Sequence, residues 1–212
     1  MSGYFPSPGI TVEDFFTRFV PERFADEGIA KLFPSGVLPA VCVHVDGDPW
    51  TLRLVDGELE VEPSDAEDPI ATVRLNEEDW RAAITGALGG GYEPTEADLE
   101  RMRRRGRVTP EMIDKVGALR CRIVLEVRHF ADRTWRAEVI VGPESQAHKT
   151  LIARIGAMDC EAVVRGEKDP LALYNSGVVD IDGAETLAID LIRIAVPDLQ
   201  SRRKRKGLFG RS

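Results

Sequence analysis

WTLRLVDGELEVEPSD, residues 50–65, is the stretch that decides the fold. Leu52 and Leu54 fall on one side of an extended chain and Arg53 on the other. After Asp56-Gly57 the pattern resumes with Leu59 and Val61. A period of two marks half-buried strands, and a glycine between two such runs supplies the positive φ of a tight hairpin turn. Upstream, VLPAVCVHVDGD (37–48) sets Val41, Val43 and Val45 against Cys42, His44 and Asp46 and ends in Asp46-Gly47-Asp48. Downstream, the acidic loop PSDAEDP (63–69) leads into IATVRL (70–75). Residues 37–75 therefore predict a four-stranded antiparallel meander.

The period changes in NEEDWRAAITGALGGG (76–91). Asn76 is a good N-cap, and Glu77, Glu78 and Asp79 suit the positive end of a helix dipole. Trp80, Ala83, Ile84 and Leu88 share one face, and Gly89-Gly90-Gly91 stops the helix. A helix placed after a meander covers the apolar face of the sheet. Before the strands, residues 1–10 read as a flexible lead-in. Thr11 and Asp14 form a capping box, and Phe15, Phe16, Phe19 and Val20 make a helical stripe. Pro21 is expected to bend or end that helix, and a second short one carries Ile29, Leu32 and Phe33.

The second half supplies further elements. TEADLERMRRRG (95–106) opens with a Thr95/Asp98 box, and TPEMIDKVG (109–117) places Pro110 at a first helical position. ALRCRIVLEVRHF (118–130) and TWRAEVIVG (134–142) alternate as strands around a turn near Ala131-Asp132-Arg133. HKTLIARIGAM (148–158) fits helix or loop, and CEAVVRG (160–166) reads as a strand. DPLALYNSG (169–177) is a short helix capped by Asp169, and VVDIDG (178–183) is a strand. AETLAIDLIRIAV (184–196) is an amphipathic helix with Leu187, Leu191 and Ile194 on one side. Residues 66–86 and 157–177 echo one another, each preceded by strands containing a Trp. A degenerate duplication and two uses of one supersecondary unit both fit. The second strands extend the first sheet or build another facing it.

The order of these parts resembles the sterol-carrier-protein-type lipid-binding domain. Asp56-Gly57, Asn76 to Gly86, and Gly177 to Leu191 match the turn, covering helix and closing strand-helix of that family. The resemblance covers about 110 residues in two pieces and leaves about 90 residues, roughly 87–176, as an insertion. It implies an α+β fold: a largely antiparallel curved sheet covered by helices, here extended by a second set of strands. It also implies an apolar tunnel between sheet and helices that takes lipids. The expected organisation is a single domain over 11–199 and a disordered basic tail over 200–212. The lining expected for the tunnel is Phe15, Phe16, Phe19, Trp80, Ile84, Leu88, Leu187 and Leu191. A plain core explains the same stripe.

Composition narrows the functional classes. The net charge of -8 argues against DNA as a partner, since an acidic body gains nothing from counterion release. No apolar run reaches the roughly 18 residues that span a bilayer, and MSGYFPSPGITVEDFF has no secretory signal pattern. Three widely spaced cysteines, Cys42, Cys121 and Cys160, fit reduced thiols in the cytoplasm. His44, His129 and His148 lack metal-ligand spacing, and His44 reads as a hydrogen-bonded strand histidine. Asp182 reads as the cap of the last helix rather than a calcium ligand. No metal, cofactor or catalytic residue is expected. The basic cluster Arg202, Arg203, Lys204, Arg205 and Lys206 suits weak contact with an anionic membrane. The leading expectation is non-catalytic binding or transfer of a lipid or other small apolar ligand. The alternatives are a structural or protein-interaction module with a filled core, and an enzyme on a lipophilic substrate using His44, Asp46 and Asp182.

Overall fold

The computed structural model describes residues 4–26, 29–33, 35–98, 100 and 108–195. A hairpin-forming first half and a second set of strands join in one open sheet of eight strands. These are β1 (Leu38–Val45), β2 (Asp48–Val55), β3 (Glu58–Glu62), β4 (Ala71–Leu75), β5 (Cys121–Phe130), β6 (Arg133–Val141), β7 (Lys149–Gly156) and β8 (Asp180–Gly183). Their spatial order is β3-β2-β1-β4-β6-β5-β7-β8. The sheet is mixed and curved, and helices flank part of it, which makes the fold α+β. Helical segments pack on the face that carries Val43, Trp50, Leu75, Trp135 and Leu151.

The first three strands form the expected meander, but β4 does not continue it. It returns beside β1 in parallel, Val41 next to Ala71 and Val45 next to Leu75. A parallel pairing needs a long connection, and β2, β3 and the acidic loop together provide one. That loop crosses the open face and is tied down there. Thr51 Oγ1 donates to the Ser64 carbonyl at 2.6 Å, and the Ala66 N–H lies 3.3 Å from Cys42 Sγ. Alternation fixes which side chains face the core; it does not fix which neighbour a strand takes.

The second half corrects two further expectations. HKTLIARIGAM contains the strand β7, parallel to β5. CEAVVRG belongs to the helix α5 (Ala157–Val164), not to a strand. Its β-branched residues mimic a strand, but packing of the segment on β5 and β7 selects the helix, with Ala162 buried and Val164 turned to solvent. Gly156 and Gly166 bracket it, the latter at φ 73°.

One supersecondary unit is thus used twice, side by side. In the first, β1 and β2 form a hairpin, β4 returns parallel to β1, and the helix α3 (Glu77–Ile84) follows. In the second, β5, β6, β7 and α5 repeat these moves. Both hairpin turns have positive φ at both residues, Asp46-Gly47 and Ala131-Asp132. Arg74 corresponds to Arg154, Asp79 to Asp159, Ala82 to Ala162 and Gly86 to Gly166. The structural match therefore pairs residues 71–86 with 151–166, displaced from the echo read in sequence.

At the N-terminal side, α1 (Val12–Asp14) passes through a π-helical turn, Phe15–Phe19, into α2 (Val20–Asp26). Thr11 caps it by accepting from the Asp14 N–H at 3.0 Å. The helix runs through Pro21 instead of ending there, and the wider π turn just before Pro21 accommodates the missing donor. Residues 4–10, read as flexible, lie against α3. Arg81 Nη1 donates to the carbonyls of Pro8 (2.7 Å) and Ile10 (3.0 Å). The Phe5 ring covers Gly86, where an added Cβ would fall 2.3 Å from it.

The remaining helices are α4 (Pro110–Gly117), capped by Thr109, α6 (Pro170–Asn175), capped by Asp169, and α7 (Glu185–Ala195). Asp182 does not cap α7. It lies within β8, and its carboxylate is 3.8 Å from Arg154. The Thr95/Asp98 box forms. The basic stretches 101–107 and 200–212 lie outside the described residues.

Candidate functional site

The residues expected to line one tunnel are distributed over three apolar clusters. Phe15, Phe16, Phe19, Trp80 and Ile84 meet Val45 and Trp50 above the first unit. Leu88 joins a middle cluster with Ala82, Val127, Trp135 and Cys160. Leu187 and Leu191 pack with Cys121, Ile123, Val141, Leu151 and Val116 at the other end of the sheet. The last helix therefore does not share a wall with α3 and the first meander. The cause is the pairing of β8 with β7 at the sheet edge far from β1, which carries α7 away with it.

The first cluster is an aromatic seam. Phe16 stacks on Trp50 at 5.1 Å and 11°, and Phe15 meets Phe16 edge-on at 5.1 Å. Phe15 also meets Trp80 edge-on at 5.3 Å and stacks with Phe19 at 5.6 Å. Such pairs contribute about 0.5–1.5 kcal/mol each beyond area burial. Phe16, Trp50 and Trp80 are buried, whereas Phe15, Phe19 and Ile84 are half-buried and reach the surface. Among the described residues, the buried indole nitrogens of Trp50 and Trp80 have no hydrogen-bond partner. Trp50 was not singled out from sequence as a lining residue. Its parity with Leu52 and Leu54 along β2 was the available signal.

The opposite face of the sheet carries a polar network beside the buried Cys42, Val124 and Ile140. Arg74 grips Glu144 with two bonds, 2.9 and 2.8 Å, and Arg122 donates to the same carboxylate at 2.9 Å while pairing with Glu138. This network spans β4, β5 and β6 and so staples the two units together. Hydrogen bonds from Arg74, with Arg122 beside it, hold the Glu144 carboxyl down to about 2. A lowered folded-state pKa stabilises above the unfolded value near 4.5, and that stability is lost as pH falls toward 2. Glu144 is half exposed, so solvent screening limits the effect to less than about 1 kcal/mol. Unfolding curves of the parent and Glu144→Gln should differ slightly at pH 6 and coincide near pH 2; a difference that grows on acidification contradicts this assignment.

A cleft of about 450 Å³ opens at the rim of the same face. His44, Asp46, Arg74, Asn76, Arg136 and Glu138 line it. His44 Nε2 lies 2.7 Å from Asp65 Oδ1, as a hydrogen-bonded strand histidine should. Of the residues considered for catalysis, His44 and Asp46 share the cleft and Asp182 is at the far edge of the sheet. Burial pushes the Cys121 and Cys160 thiols up, which keeps both in the unreactive protonated form. The three cysteines are free. Among the described residues, no cluster of His, Cys, Asp and Glu is placed to hold a metal ion, and no helix is long and apolar enough to cross a membrane.

No protein-family model matches this chain, and no curated protein matches it significantly.

Proposed function

We propose that this chain is a non-catalytic cytoplasmic binding module that holds a lipid or other small apolar ligand in the aromatic seam. The observation that carries this reading is the continuity of the seam. Rings run without interruption from the buried Trp50 and Phe16 to the half-buried Phe15 and Phe19. Their roof is a π-helical turn, a distortion frequent at functional sites. The seam differs from the tunnel the sterol-carrier resemblance implies, because α7 takes no part in it. The resemblance adds support through the single curved sheet flanked by helices. A ligand chain gains about 0.8 kcal/mol per buried methylene, enough for micromolar binding with a handful of them. Arg202, Arg203, Lys204, Arg205 and Lys206 would bring the module to anionic membranes.

Native mass spectrometry of gently purified protein should show a co-purifying lipid, and a fluorescent fatty acid should bind in the micromolar range. Protein that emerges empty and ignores the probe refutes the reading. A second reading, an interaction module, draws on the exposed apolar residues Met158 and Val164 of α5, with Leu125 and Ile189. Light scattering that shows self-association insensitive to lipid would favour it.

A further inference from the structure

The cleft on the face opposite the seam exists because β4 leaves the sheet early. At Asn76 the chain turns off into α3, while the β1–β2 turn and β6 run on past it on either side. A gap at the carboxyl ends of parallel strands, here β1 and β4, is where open sheets commonly take ligands. Most charges that line it are already matched. Arg74 is held by Glu144, Glu138 by Arg122, Asp79 by Arg133 and His44 by Asp65. Two are not. Among the described residues, the exposed Asp46 carboxylate and the exposed Arg136 guanidinium have no ion pair or hydrogen bond, although they carry opposite charge and line the same cleft. They stand on opposite rims, two strand spacings or about 10 Å apart along the backbone. The second unit closes the same place. Arg128 follows Val127 there as Asp46 follows Val45, and it reaches Asp180, the counterpart of Glu138, at 3.1 Å. In the first unit both of these positions are acidic, so no such bridge forms and the cleft stays open.

We propose that this cleft binds the main-chain zwitterion of a free amino acid, its ammonium on Asp46 and its carboxylate on Arg136. The guanidinium fork matches a carboxylate with two parallel hydrogen bonds. A single exposed ion pair contributes little. A molecule that carries both charges makes the second contact without a second loss of translational freedom, so the two rims select it over simple ions. The volume of about 450 Å³ leaves room for a side chain. The inference goes beyond the seam and does not depend on it.

The test titrates the full chain, labelled with nitrogen-15, with glycine, glutamine and phenylalanine in turn. At least one should shift the backbone amides of Gly47, Asn76 and Arg136 with a dissociation constant in the millimolar range, and leave those of Arg128 and Asp180 in place. The N-acetylated and carboxamide forms of that amino acid each lack one charge and should bind about tenfold more weakly, the effect of one charge-assisted hydrogen bond. Asp46→Asn and Arg136→Gln should each weaken the amino acid by the same factor. Asn tolerates the positive φ of Asp46, so that variant keeps the turn. The inference is overturned if none of the amino acids moves the cleft amides at about 50 mM. It is equally overturned if either one-charged form binds as well as the amino acid, or if either variant binds it as the parent chain does. Seam residues take no part in these outcomes, so the lipid reading stands or falls separately.

Discussion

Asp79→Ala should lower the unfolding free energy by about 3–5 kcal/mol, the range for removing one partner of a buried charged network. The carboxylate is 2% exposed, yet it lacks nothing. It pairs with Arg133, accepts from the Arg136 N–H at 3.2 Å, and faces Asn76 Nδ2 at 3.1 Å. Its own N–H is taken by Asn76 Oδ1 at 2.7 Å, and its carbonyl receives Trp135. One residue therefore anchors the start of α3 to β6, the first strand of the other unit in the sheet order. Truncation leaves the Arg136 N–H without its acceptor and the Arg133 guanidinium with Glu78 alone. Native proteins are stable by only about 5–15 kcal/mol, so the change should be obvious in the denaturant midpoint. The repeated architecture supplies a control. Asp159 holds the same place in α5 but is more exposed and pairs only with Lys168 among the described residues. Asp159→Ala should cost less than about 1 kcal/mol. Equal losses at the two positions would show that the junction network is not what Asp79 contributes.

That contrast also shows what the residues revealed before folding. Alternation in 37–62, the Asn76 and Thr11 caps and the two hairpin turns all depend on neighbours close in sequence, and each formed where it was read. The errors lie where a choice between distant partners decides. Whether β4 sits beside β3 or β1 leaves its own pattern unchanged, because Val73 faces the core either way. Val163 and Val164 suit a strand or a helix, and tertiary packing on β5 and β7 selects the helix. The candidate site was legible in part for the same reason. Phe15, Phe16, Phe19, Trp80 and Ile84 come together because they lie on elements that cover the first meander. Leu187 and Leu191 were separated from them by the pairing of β8, a long-range event with no local signature. That the indole N–H groups of Trp50 and Trp80 lack an acceptor among the described residues has no sequence signature at all.

Phe16→Ala should cost about 3–5 kcal/mol, the usual loss for a buried phenylalanine. The ring is 3% exposed, lies flat on Trp50 and meets Phe15 edge-on, so it joins the sheet to the π-helical roof. Phe19 is the useful comparison. It is half-buried, stacks on Phe15 and lies under Arg23 with the guanidinium 5.3 Å from its ring centre. Its truncation should cost about half as much, because solvent already reaches it and less packing is lost. Stabilisation by ligand separates a solid core from a ligand seam. An apolar cavity left by truncation takes apolar guests, and a ligand that binds only the folded state raises stability by about 2.7 kcal/mol at a hundredfold excess over its dissociation constant. Decanoate, a single-chain amphiphile, should therefore stabilise the parent and Asp79→Ala, which both keep the seam rings, by a similar amount; stabilisation confined to Phe16→Ala would come from the cavity that truncation opens. Decanoate that stabilises neither the parent nor Asp79→Ala would mean that the seam rings serve the core alone.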